Sequence, residues 1–178
     1  DVLQSRLGVF EHLGMVVEEA CPDLSDAGAI FLAVRALAFE TSWGHLLDTH
    51  RALLKQTVVW NIEAGRALTG SQVAAAERGR SALCARIDQF MSEHEFLVAP
   101  VNQVAPFPID QDYVTRINDV PMQNYIDWMR SCYYITLRGH PAISVPCGST
   151  PWGLPDGLQI VARRHDDWGV LQLAHAFE

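Results

Sequence analysis

Lysine is almost missing from this sequence: Lys55 is the only one among 13 basic residues, the rest being arginine. That single side-chain amine sits in an apolar run, Arg51 to Trp60, which reads as helical. Cysteine is also sparse. Cys21, Cys84, Cys132 and Cys147 are widely separated and form no C-x-x-C pair, which argues against a disulfide scaffold or a four-cysteine zinc site. They read as buried free thiols. No apolar run reaches membrane-spanning length, and no signal peptide opens the chain. The first residue is Asp1 rather than a methionine, which reads as a processed product or a piece of something longer. Positive charge is in deficit, with a net charge of -8, so nucleic acid is not an expected partner. The Arg163-Arg164 pair reads as a solvated face. There is no G-x-S-x-G elbow, no H-E-x-x-H and no phosphate loop. His45 and His50 lie five apart, too far around a helix to share a metal.

What is present is an ordinary globular composition, 49% hydrophobic over 178 residues, read as one region, 1–178. Leu7 to Leu13 reads as a helix end broken by Gly14, followed by a short strand at Met15-Val16-Val17. Asp23 is placed to cap the next helix, whose buried face carries Ala27, Ile30, Phe31, Val34, Leu37 and Ala38. Gly44 and His45 interrupt that pattern. Thr69 and Gln72 match a capping box ahead of a long amphipathic helix. Phe96 to Ala99 reads as a buried strand. Three prolines within Pro100 to Pro108 forbid helix or central strand there, and such a stiff apolar loop after a strand suits a cleft wall. Asn118 to Trp128 and Met129 to Arg138 read as two short helical pieces. Ala142 to Gly148 and Leu158 to Ala162 read as strands, with a turn at Gly153 to Gly157, and Val170 to Phe177 as a last helix. Ser144, between Ile143 and Val145, reads as a packed or backbone-bonded hydroxyl. The strands at 15–17, 96–99, 142–145 and 158–162 are expected to share one mixed sheet flanked by helices, an α/β arrangement.

The run Gly139-His140-Pro141-Ala142-Ile143-Ser144-Val145-Pro146-Cys147-Gly148, then Gly153-Leu154-Pro155-Asp156-Gly157-Leu158-Gln159-Ile160, closely resembles the C-terminal consensus of the amidase signature family, G-x-P-A-x-S-V-P-x-G followed by G-L-P-x-G-L-Q. Leu97 to Pro108 resembles the family's strand and proline-rich loop. Thr136 resembles the threonine ahead of the first motif, and Leu171 to Glu178 the terminal helix. His140 departs from the family, which usually carries an apolar residue there.

The resemblance implies the C-terminal part of an amidase-type fold. It implies a parent that hydrolyses a carboxamide C–N bond through an acyl-enzyme on a serine outside this chain, or alternatively part of a glutamine-dependent amidotransferase or a non-catalytic scaffold. The family's two serines and lysine have no matching context here, so no catalytic residue is expected, and the chain alone is expected to be inactive. Val98, Val101, Pro106, Phe107 and Thr136 are expected to approach the substrate. No cofactor, metal or membrane is expected. The expected partners are a small amide, a missing N-terminal half or a second chain, and a homo-oligomer. The expected location is cytoplasmic.

Overall fold

The structure, a computed structural model, describes residues 2–178. Its contacts divide the chain into two compact units: the segment up to Pro22 together with Arg86–Glu178, and Asp23–Ala85.

In the first unit, α1 (Val2–His12) ends in a Schellman turn. Gly14 takes φ +86°, the Gly14 amide donates to the Glu11 carbonyl, and the Met15 amide donates to that of Phe10. The expected strand at 15–17 does not form. Met15 and Val17 pack on the core while Val16 is 96% exposed, so the alternation is real but no ladder partner is present among the described residues. The sheet is built instead from β1 (Phe96–Pro100), β4 (Ala142–Ser149) and β5 (Pro155–Ala162), in the order β1-β5-β4. Both pairings are antiparallel, so the expected mixed sheet is corrected. The turn at 150–154 returns β5 directly against β4, and hairpin-linked strands pair antiparallel.

One face of this sheet holds the core. Val145, Cys147, Leu158, Ile160 and Ala162 pack with Phe10 and with Val170, Leu173 and Ala174 of α6 (Asp167–Phe177). Asp166 caps α6 by accepting from the Gly169 amide. The expected helical piece from Asn118 is corrected too. Asn118 and Asp119 both take positive φ, the requirement of a type I′ turn, and join β2 (Arg116–Ile117) to β3 (Val120–Pro121). A single 3-10 turn, Asp127–Met129, leads into α5 (Arg130–Thr136).

The second unit packs α2 (Ala27–His50) against α3 (Gln56–Arg66). α2 runs unbroken through Gly44 and His45, where the sequence predicts an interruption. Arg66 of α3 explains this: its guanidinium donates to the Gly44 carbonyl and binds the Glu40 and Asp48 carboxylates. Those bonds hold the Asp48 carboxyl below its ordinary range. Asp23 does not cap α2; its carboxylate accepts from the Ser25 amide in an Asx turn just before it.

The unit boundary falls within α4 (Gly70–Glu93). Its capping box is present: the Thr69 amide donates to Gln72 Oε1 and the Gln72 amide to Thr69 Oγ1. At its C-terminus Arg163, exposed like its neighbour Arg164 as the sequence suggests, also donates to the Met91 carbonyl at 2.7 Å and so caps the helix.

Candidate active site

Beyond the end of β1 the chain enters the proline-rich segment, and that segment is fastened at several points. The Val101 amide donates to the Gly157 carbonyl. The Val101 carbonyl accepts from the Ser131 hydroxyl at 2.9 Å and from the Cys132 thiol at 2.7 Å. Burial pushes that thiol above its ordinary range. Gln103 Oε1 accepts from the Arg130 amide and so caps the start of α5. Gln159, 6% exposed on the central strand, donates from one amide nitrogen to the Pro100 and Ser131 carbonyls. Neighbouring strand, loop and helix are thereby tied through one buried side chain.

The result is an open cleft of about 400 Å³, within the usual range for small-molecule sites. One wall is the fastened loop, with Val101, Asn102, Val104, Ala105, Pro106 and Phe107. Trp128 stands edge-on to Phe107, with ring centroids 5.3 Å apart and an 88° interplanar angle. The sheet contributes Ser144, Pro155, Asp156 and Gly157. An apolar, partly aromatic surface with a few polar groups suits a small organic molecule with one polar function.

Of the residues expected to approach substrate, Val101, Pro106 and Phe107 line this cleft. Val98 packs on the hydrophobic core, and the Thr136 hydroxyl donates to the Tyr133 carbonyl at 2.7 Å. Trp128 escapes a reading of the sequence, because no local signal links it to the loop. It arrives there because buried Asp127 accepts from the Gln123 amide and the Asn124 side chain, fixing the turn. The sequence predicts a packed or backbone-bonded Ser144; the residue is instead exposed on the cleft face of β4, opposite the buried Val145 and Cys147. His140 is outside the cleft lining. Its Nδ1 donates to the Ala162 carbonyl, while its buried Nε2 lies 3.9 Å from Asp88 Oδ1. Two bonds from Arg138 to Asp88 hold that carboxyl below its ordinary range.

At the end of α4, His94 stacks on Phe90, bonds the Phe90 carbonyl through Nδ1 and meets Glu18 Oε1 at 2.7 Å through Nε2. The Phe90 bond, against burial and with help from Glu18, raises its pKa above the ordinary 6.5. A raised folded value means the stabilisation is full below the unfolded pKa and is lost as pH rises through the folded one. The wild-type urea midpoint should therefore fall between about pH 5.5 and 8 by more than that of His94→Gln. Parallel pH profiles would contradict this.

An α/β domain with a small-molecule cleft at the end of its sheet is the class that these observations define. The Amidase family model matches residues 4–171, and the chain belongs to that family. It is 30% identical to an acylamidase of Rhodococcus erythropolis over 99% of this chain and 38% of that protein. A putative amidase of a Synechocystis species is 29% identical over 97% of this chain and 32% of its own length. The solved bacterial aryl acylamidase superposes with a TM-score of 0.88 at 24% identity, covering 100% of this chain and 39% of that one. The chain thus spans about two-fifths of the acylamidase and the aryl acylamidase it matches.

These matches correct several expectations. The resemblance assigned the chain to a C-terminal part only, but the family model runs from residue 4 to residue 171 and the solved fold covers the chain throughout. Family membership is a property of the chain as a whole. The readings of a C-terminal portion of the fold, of a chain inactive by itself, of a nucleophile outside it, and of a required N-terminal half or second chain are withdrawn on that finding.

Proposed function

We propose that this protein hydrolyses carboxamide C–N bonds and that the cleft beside the proline-rich loop receives the amide substrate. Membership of the Amidase family supports the reaction class. The observation that carries the site is that the loop and the two motif strands, β4 and β5, converge on one cleft. Its lining offers apolar and aromatic surface, one hydroxyl, one carboxamide and one carboxylate. Those groups bind and orient a substrate, and a small acylated amine or aromatic amide fits them in size and polarity. Val101, Pro106 and Phe107 are the residues of the loop assigned to this role, joined by Trp128.

The test is release of aniline or ammonia from acetanilide and benzamide by the purified protein. Turnover above that of a heat-denatured control is expected. Phe107→Ala and Trp128→Ala should each raise KM by roughly tenfold, since each removes an aromatic wall worth about 1–2 kcal/mol of burial. Absence of turnover would overturn the proposal for the reaction; turnover with unchanged KM in both variants would overturn it for the site.

A further inference from the structure

Along β4 the side chains alternate. Val145 and Cys147 enter the core, while Ser144 is exposed on the opposite face and lines the cleft. Its register partner across the sheet is Gln159, whose side-chain nitrogen is already engaged by the Pro100 and Ser131 carbonyls. Among the described residues no hydrogen bond engages the Ser144 hydroxyl, so it is free to donate to a ligand and to accept from one. The space beside it is kept open by Gly157. A Cβ at that position would sit 3.3 Å from Ser144 Oγ and 3.3 Å from Val101 Cγ2, tight contacts on the cleft surface. The carboxamide of the lining, Asn102, has its Oδ1 3.5 Å from the Cys132 thiol. Ser144 is thus an uncommitted hydroxyl on a strand that pairs along its length with the central strand, a rigid mount for a ligand contact.

We infer that Ser144 is the polar anchor of the cleft, its hydroxyl hydrogen-bonding the carboxamide group of the substrate while the Phe107–Trp128 pair takes the apolar part. This rests on the reading of the cleft as an amide site. The role is binding and orientation; no bond to Ser144 forms or breaks. The substrate class that follows is a small amide whose polar head is uncharged and whose other end is an aromatic or branched apolar group.

Two probes of matched size separate this from a structural role: benzamide, and isopropylbenzene, which has the same ring and no hydrogen-bonding group. Binding to the full chain is measured by calorimetry or equilibrium dialysis for wild type, Ser144→Ala and Gly157→Ala. Ser144→Ala should weaken benzamide by roughly three- to tenfold, the size of one neutral hydrogen bond, and leave isopropylbenzene unchanged. Its unfolding midpoint should equal that of wild type, because no internal bond is lost. Gly157→Ala should weaken both probes by narrowing the cleft. Benzamide binding that is absent in wild type, that survives Ser144→Ala unchanged, or that falls in step with isopropylbenzene would overturn the inference. Failure of the proposed reaction reads differently: no amide is turned over, while the contrast between the two probes persists.

Discussion

Gly65→Ala should lower the stability of the α2–α3 pair by about 2–3 kcal/mol although it adds a single methyl group. A Cβ on Gly65 would stand 2.3 Å from the Ala36 carbonyl oxygen and 2.7 Å from Glu40 Cβ. The nearest obstacle is backbone of α2, which no rotamer change can move, so the helices must separate. Overpacking of this kind generally costs ~1–3 kcal/mol, occasionally more. Alanine recovers up to about 1 kcal/mol of helix propensity over glycine, which the clash exceeds here because its obstacle is backbone. Separation also stretches the bonds from Arg66 to the Gly44 carbonyl and to Asp48, both 2.8 Å. The thermal midpoint should drop by roughly 5–10 °C on the usual scaling for a chain of this length. A midpoint equal to or above that of wild type would show that the crossing has slack. Gly44→Ala is the internal control. Its added Cβ meets only the movable carboxylate of Glu40, so its effect should be much smaller.

Gln159→Leu should be comparably damaging, and its effect should reach the cleft. The substitution keeps the size of a buried side chain and removes the nitrogen that donates to the Pro100 and Ser131 carbonyls. Each carbonyl left without a buried donor costs ~1–3 kcal/mol, so a loss of about 2–4 kcal/mol is expected in denaturant unfolding. The two carbonyls belong to the end of β1 and the start of α5, the supports of the cleft loop. Hydrogen exchange should therefore quicken at the Val101 amide, which bonds the Gly157 carbonyl, before it quickens in α6. Gln159→Glu tests the same point with a carboxylate facing two carbonyl oxygens and should be at least as harmful. A variant that keeps both wild-type stability and Val101 protection would remove Gln159 from this role.

Local chemistry made much of the molecule legible in advance. Gly14 ends α1 because only glycine takes that positive φ cheaply, and Thr69 with Gln72 opens α4 because the two side chains satisfy free amides there. The apolar runs at 96–99 and 158–162, the prolines of the loop and the two motif segments mark the strands and the cleft wall. Val101, Pro106 and Phe107 were singled out by the family resemblance rather than by local chemistry, and all three line the cleft.

Other outcomes depended on residues far apart in the chain. Gly44 weakens a helix in isolation, yet α2 continues because Arg66, 22 positions away, bonds its carbonyl. The run at 15–17 has the alternation of a strand and no neighbour to pair with among the described residues; a β-ladder needs two strands' worth of backbone groups, and a local run states only one. The period of two along β4 shows that Ser144 and Val145 face opposite ways but not which face is wet. Packing decided that: α6 and Phe10 cover the Val145 side, and the other side opens on the cleft. Trp128 reaches Phe107 only after Asp127 has fixed its turn. By itself the sequence determined most of the elements and their polarity, because caps, turns and periodicity are short-range. The tertiary structure alone decided strand order and which side chains share the cleft, because those rest on hydrogen bonds and burial between distant segments.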